Sequence, residues 1–277
     1  MHKFLSCTVQ QFTVFEKAAF DFSPGINVLI GANGTGKSHV MKISYSLLKE
    51  RESRHQENGG TLIFPTPLGV FRVDSPDKLI RFAVSDNSAI TIDLSDGVSL
   101  KFNIRIPSGS VLEINPDPKD ERNAPPIPSS IYLPAQEFLS INKGFISAYT
   151  RRELPYDETY YDLALALNAL PLREDKIDEE IREAITLLRK IIRDKQDGQK
   201  EVLSQQNGEF HFHLPEGDLD VHLVAEGYRK IATLYYLLRN GSLTKESILF
   251  WDEPEANLNP ELIVKIAEVF FPKEACQ

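Results

Sequence analysis

Thiols are scarce in this chain: Cys7 and Cys276, at opposite ends of 277 residues, are its two cysteines. A disulfide framework or a zinc cluster needs several thiols at close spacing, so neither organises the fold. No apolar run reaches membrane-spanning length, and the opening "MHKFLSCTVQQF" is too polar and alternating for a signal peptide. The expected compartment is a reducing cytoplasm, with no membrane partner. An excess of positive charge is also missing: Lys and Arg total 31 against 40 Asp and Glu, a net charge of −9. That argues against a chain that coats nucleic acid or a membrane surface with its whole body, while a local basic patch remains compatible. With 42% hydrophobic and 26% charged residues, the composition is that of a globular protein with ample core.

Glycine is concentrated in "INVLIGANGTGKSHVMKIS", Ile26 to Ser44. Gly31, Gly36, Lys37 and Ser38 fit G-x-x-x-x-G-K-[ST]. Ile26–Ile30 predicts a short buried strand, and Val40, Met41, Ile43, Leu47 and Leu48 an apolar helical stripe. Between them, Gly31, Ala32, Asn33, Gly34, Thr35 and Gly36 would turn backbone N–H groups around an anion without a Cβ clash. The helix N-terminus adds donors and a positive dipole end. Lys37 would reach the β- and γ-phosphates, and the Ser38 hydroxyl would ligate Mg²⁺. A Gly-rich turn without a ligand is the plainer alternative; the strand before and helix after count against it.

The pattern changes along the chain. Phe4–Phe15 and Ala19–Phe22 predict strands leading to the loop. From Thr61 to Ile114, short alternating runs such as "TLIFPTPLGVFRV", "LIRFAVS", "AITIDLS", "VSLKFNIRI" and "GSVLEINP" predict an antiparallel meander. The proline-rich stretch 115–130 closes it. Ile131–Leu133 returns an apolar strand, and 151–200 is helical in pattern. Ile177, Ile181, Ile185, Leu188 and Ile192 form one apolar stripe of about two heptads, too short for a coiled coil. "GEFHFHLPEGDLDVHLV" predicts a hairpin; helices are expected from near Gly227 and over "ELIVKIAEVFF".

A phosphate loop hydrolyses nothing alone: Mg²⁺ needs a carboxylate at a neighbouring strand end, and water needs a polarising group. Ile248–Trp251 is an apolar strand ending in Asp252 and Glu253, where ligands bind in open α/β sheets. Asp252 would hold Mg²⁺ and Glu253 would polarise water. Other clusters are weaker. His211 and His213 with nearby His222 lack further ligands at convincing spacing, so they read as polar strand residues. Tyr156, Tyr160 and Tyr161 could stack bases but fit packing better. Lys78, Arg81, Lys101, Phe102 and Arg105 mix charge with aromatic character, compatible with a nucleic-acid platform or a half-exposed sheet.

"GANGTGKS" and "FWDEPEANLNP" together resemble the soluble ABC-type ATPases, relatives of chromosome-organising and DNA-repair ATPases often labelled AAA-family in bacterial defence and mobile-element loci. The resemblance implies an α/β P-loop NTPase core with a β-rich insertion and a helical subdomain carrying the signature. Residues 1–50, 131–150 and 200–277 would form the ATP-binding core, 51–130 the insertion and 151–199 the helical part. It further implies that Gln136 of "YLPAQEF" senses Mg²⁺ and the attacking water, and that Pro254–Asn259 crosses to a second protomer. Leu223–Lys230 would be the signature segment, with Gly227 facing a partner's nucleotide. Two departures stand out: the signature serine is Ala225, and no histidine follows His222. The tail after Ile263 lacks the further strand and histidine of the family, so weak hydrolysis is expected, from a fragment or a natural short form. The implied function is an ATP- and Mg²⁺-dependent ATPase that dimerises around ATP and acts on DNA or an effector protein. A regulatory or scaffold module with little turnover is the alternative.

Overall fold

Period-two alternation builds the first half of the chain. The computed structural model describes residues 4–56, 66–81, 86–106, 109–115, 129–151, 154–193, 201–215 and 217–270, in two units, Met1–Ser130 and Ile131–Gln277. In the first, β1 (Phe4–Phe12) and β2 (Phe15–Asp21) form a hairpin with Phe12 opposite Phe15. β3 (Asn87–Leu94), β4 (Ser99–Arg105) and β5 (Gly109–Asn115) continue it into one antiparallel sheet, ordered β2-β1-β3-β4-β5. The stretch expected as an insertion therefore shares its sheet with the N-terminal hairpin, Val9 pairing with Ile90.

Alternate side chains of this sheet are buried: Cys7 and Val9, Ile90 and Ile92, Leu100, Phe102 and Ile104. Burial pushes the Cys7 thiol up to about 11, so it stays protonated and inert at neutral pH. Polar contacts help tie helix α1 (Lys37–Gln56) to the sheet. Arg51 pairs with Asp96 at 2.9 Å, and His39 Nδ1 lies 2.9 Å from the Thr13 hydroxyl. Helix α2 (Thr66–Phe71) replaces part of a predicted strand. Pro67 in its first turn explains the difference: it removes a ladder donor yet suits a helix start. The residues 61–65 and 82–85 of the same predicted runs lie outside the described residues. Of the mixed charged and aromatic set, Phe102 is 1% exposed and faces inward, while Lys78 pairs with Asp74 at 2.7 Å and Arg81 with Glu16 at 3.1 Å. The aromatic half of a stacking platform is thus absent from that set.

The second unit is built around a buried helix. It contains β6 (Ser130–Leu133), α3 (Phe145–Thr150), α4 (Glu158–Leu167), α5 (Glu179–Ile192), β7 (Leu203–Gln206), β8 (Glu209–Leu214), β9 (Gly217–Asp220), α6 (Glu226–Arg239), β10 (Ile248–Trp251) and α7 (Pro260–Phe270). β10 lies beside β6, and the predicted hairpin gains a strand to become β7-β8-β9. Every residue of α6 from Lys230 to Arg239 is buried. Phe210 of β8 meets Tyr236 edge-on, with ring centroids 5.1 Å apart. On α5 the predicted stripe turns inward through Ile185, Leu188 and Ile192. Asp157 caps α4 by accepting the Thr159 N–H at 2.9 Å, and Asn259 caps α7 by accepting the Leu262 N–H at 2.8 Å. Among the described residues, no helix is long and apolar enough to cross a membrane.

The stripe gives a paired test. Leu188→Ala, at 0% exposure, should cost about 2–5 kcal/mol of unfolding free energy, whereas Leu187→Ala, at 38%, should cost under about 1 kcal/mol. Urea denaturation measures both; equal losses would contradict the assigned face.

Candidate functional site

The phosphate loop belongs to the first unit. Helix α1 begins at Lys37, directly behind the last glycine. Gly34 and Gly36 have φ of +79° and +92°, a left-handed conformation that costs glycine almost nothing. At Gly36 a Cβ would also press into the Phe15 ring and come within 2.7 Å of Val14 Cγ2, so glycine is required there twice over. The Thr35 hydroxyl donates to the Ala32 carbonyl at 2.8 Å. The Lys37 ammonium donates to the carbonyls of Gly31 and Ala32, at 2.8 and 2.9 Å. The loop is therefore already curled around its lysine. Ser38 follows in the first helical turn, and Asn33 stands on the exposed crest. This cradle, with its glycines, its lysine and a helix start, fits a nucleotide's phosphates.

The expected buried strand before the loop is not formed. Ile26–Ile30 has no strand partner among the described residues, and Val28 and Ile30 are 73% and 90% exposed. One local cause is visible at Asn27. Its side chain accepts from the Ser23 N–H at 2.9 Å and donates to the Ser23 carbonyl at 2.9 Å, tying the entry into a polar turn.

The second unit gathers the remaining residues. The Asp252 N–H donates to the Leu133 carbonyl at 2.9 Å, which sets the end of β10 beside the end of β6. Tyr132, 2% exposed on β6, donates its hydroxyl to Asp252 Oδ2 at 3.1 Å. Burial, then the Asp252 charge, push that phenol far above its ordinary value, and the same causes with Asp157 raise Tyr160 to about 12. Glu253 is exposed with φ +47°, an uncommon conformation for a residue with a side chain. Such outliers cluster at functional sites because the surrounding fold must over-determine them. Gln136 is exposed just beyond β6, and the next residue, Glu137, is buried. Glu137 pairs with Arg229 of α6 at 3.1 Å and accepts the Ser140 hydroxyl.

Arg229 also donates to the Val224 carbonyl at 3.0 Å, and Lys230 donates to the Ala256 carbonyl at 2.9 Å. Neither cation is a solvated helix residue or a free positive charge. Both are tied to loops, and burial lowers the Lys230 pKa against the pull of Glu226, Glu253, Glu255 and Glu137. Gly227 is buried because the loop Pro254–Asn259 lies on it: a Cβ would stand 3.0 Å from the Asn257 carbonyl and from Leu258 Cδ2. Asn257 completes the clamp, donating to Glu226 at 2.7 Å. Ala225 provides no side-chain cap for α6. Two other sets of residues find their partners within the second unit. Tyr149 and Tyr161 stack at 4.9 Å within an aromatic cluster that includes Phe145, Tyr156 and Tyr160. His213 lies between Asp218 at 2.7 Å and Ser204 at 2.8 Å, and no metal-sized cluster of His, Cys, Asp or Glu occurs among the described residues.

Sequence reasoning missed Tyr132 and the Glu137–Arg229 pair. "SIYL" reads as an apolar strand whether its aromatic carries a hydroxyl or not. Residues 137 and 229 are too far apart in the chain for spacing to connect them.

Comparison with known proteins identifies the family. The profile of the family described as "AAA domain, putative AbiEii toxin, Type IV TA system" matches residues 26–277. Comparison with curated proteins gives no match. Among solved structures, the Smc head domain with an extended coiled coil, bound to the C-terminal domain of ScpA and derived from Pyrococcus furiosus, covers 98% of this chain and 86% of its own, with a TM-score of 0.53 and 12% identity. The recombination mediator protein RecF with ATP, of the RecFOR pathway, covers 72% of this chain and 47% of its own, with a TM-score of 0.32 and 14% identity. At 12% identity the Smc likeness is one of fold. The chain therefore belongs to this AAA-domain family and shares its α/β fold with the Smc head domain.

Proposed function

We propose that the chain binds ATP with Mg²⁺ and hydrolyses it in a dimer, two copies sandwiching nucleotide between the phosphate loop of one and the signature helix of the other. The observation that carries this reading is the phosphate loop itself, whose left-handed glycines and gathered Lys37 form an anion cradle at a helix start. Bound Mg²⁺ would neutralise charge that develops on the β- and γ-phosphate oxygens. Ser38 and Asp252 are the residues that would hold the ion, with Gln136 as its sensor and the sensor of the attacking water. Glu253 would polarise that water. Gly31 to Gly36 present their N–H groups to the phosphates, and Lys37 reaches the β- and γ-phosphates.

Support for the dimer comes from α6. Its N-terminus carries no side-chain cap, and the loop Pro254–Asn259 is clamped to its first turn through Gly227, Glu226 and Lys230. A partner's nucleotide would meet the uncapped start of α6 and that loop together, with Gly227 lying beneath the loop. Arg229, paired with Glu137, links the surface to the residue next to Gln136. Nucleotide-driven closure would act on DNA or on an effector protein; the exposed Lys101 and Arg105 on β4 remain available for either.

Three variants separate the steps. Lys37→Ala should weaken binding of a fluorescent ATP analogue by about ten- to a hundredfold, the loss of one charged donor; unchanged binding would remove the phosphate-loop assignment. Glu253→Gln should lower turnover by about a hundredfold or more while ATP binding persists. Light scattering with ATP present should then find a trapped dimer, and a variant that stays monomeric at every nucleotide concentration counts against the sandwich. Gly227→Ala should cost about 1–3 kcal/mol through overpacking against Asn257 and Leu258, and should lower turnover without altering ATP binding. Retention of full turnover would show that the clamp is not needed for hydrolysis.

A further inference from the structure

We infer that Tyr132 is the positioning residue for Asp252, its hydroxyl holding the carboxylate in the orientation from which it serves Mg²⁺. The inference rests on the reading of Asp252 as the Mg²⁺ carboxylate and extends it to a residue that no motif contains.

Three observations converge on the phenol. Its oxygen lies 3.1 Å from Asp252 Oδ2, within donating distance, on a side chain that is 2% exposed. A buried phenol hydroxyl needs a partner, and here it has a carboxylate. The ring is itself fixed by the strand that carries Asp252: it stacks on Phe250 at 6.5 Å with 17° between the planes. The main chain is fixed as well, since the Asp252 N–H donates to the carbonyl of Leu133, the residue after Tyr132. One hydrogen bond thus sets the Asp252 backbone against β6, and a second sets its side chain against the same strand.

The choice of donor is informative. Lysine or arginine at this position would compete with a divalent cation for the carboxylate's charge. A phenol donates a hydrogen bond and leaves the negative charge in place. Packing alone does not require the hydroxyl, because Ser130, Ile131 and Leu133 make β6 fully buried and phenylalanine fills the same volume. Groups outside the metal's ligand shell that orient a ligand commonly change metal affinity by about ten- to a hundredfold when removed.

The experiment compares Tyr132→Phe with the natural chain by titrating Mg²⁺ against binding of a fluorescent ATP analogue, with Mn²⁺ electron paramagnetic resonance as a second readout. The expected result is a rise of about tenfold in the half-saturating Mg²⁺ concentration and an altered Mn²⁺ spectrum. Nucleotide binding in EDTA and the melting temperature should stay unchanged, which a purely structural role for the hydroxyl would not produce. In an Asp252→Asn background, Tyr132→Phe should add no further shift. A Tyr132→Phe protein with the natural Mg²⁺ dependence, or an equal shift in the Asp252→Asn background, overturns the inference alone. A natural chain whose ATP binding ignores Mg²⁺ overturns the Asp252 reading and this inference with it.

Discussion

The backbone hydrogen bond from Asp252 to Leu133, at 2.9 Å, is the contact around which many of the second unit's polar side chains are arranged. It sets the end of β10 against the end of β6, two strands of four residues each. From the β6 side come Tyr132 and, past the strand end, Gln136 and Glu137. From the β10 side come Asp252, Glu253 and the loop Pro254–Asn259. The carboxylates and Gln136 sit at or beyond the strand ends, while the Tyr132 hydroxyl reaches them from inside β6. Catalytic groups in open α/β sheets collect at one edge of the strands in the same way.

Helix α6 supplies the second constraint, and it does so with buried cations. Burying Lys230 and Arg239, and half-burying Arg229, is costly unless each finds partners. Arg229 has Glu137 and a carbonyl, Lys230 has a carbonyl of the loop after β10, and Arg239 has Glu201 together with Glu174 at 3.2 Å. These pairs are weak evidence for net stability, since apolar residues of similar size could replace them without loss. Their value is directional: each ties a particular loop to a particular turn of the helix. The signature segment, the residue beside Gln136 and the loop Pro254–Asn259 are thereby joined through one helix rather than through three separate flexible connections.

Backbone conformation marks the same places. In the first unit, left-handed backbone at Gly34 and Gly36 falls on residues chosen for it. In the second unit, Glu253 and Asn257 adopt positive φ with side chains present, +47° and +62°, as does Asn207 in the β7–β8 turn, at +53°. Asparagine tolerates this region well; glutamate does not, and costs of the order of 1–3 kcal/mol are typical for such outliers. Under the proposed reading, Glu253 stands where a carboxylate is wanted and a glycine would give up the chemistry.

Short-range physics determined a great deal from sequence alone. The phosphate loop is a contiguous motif whose glycines, lysine and serine act within eight residues, and the Asp252–Glu253 pair follows directly on its strand, so both were legible without tertiary contacts. Strand alternation in β3–β5 and the helical stripe of α5 were legible for the same reason, because periods of two and 3.6 are local properties of the chain. The apolar run Ile26–Ile30 shows the limit of such reading: hydrophobicity indicates what a segment can become, while a strand exists only where another backbone pairs with it. The tertiary structure alone decided the roles of Tyr132, Glu137, Arg229 and Lys230. Their partners, Asp252, each other and Ala256, lie from 26 to 120 residues away, and the sequence signals neither which buried aromatic needs its hydroxyl nor which helix cation is buried. Hydrogen bonds at that separation depend on the packing of strands and helices, which is a property of the folded core rather than of any local run of residues.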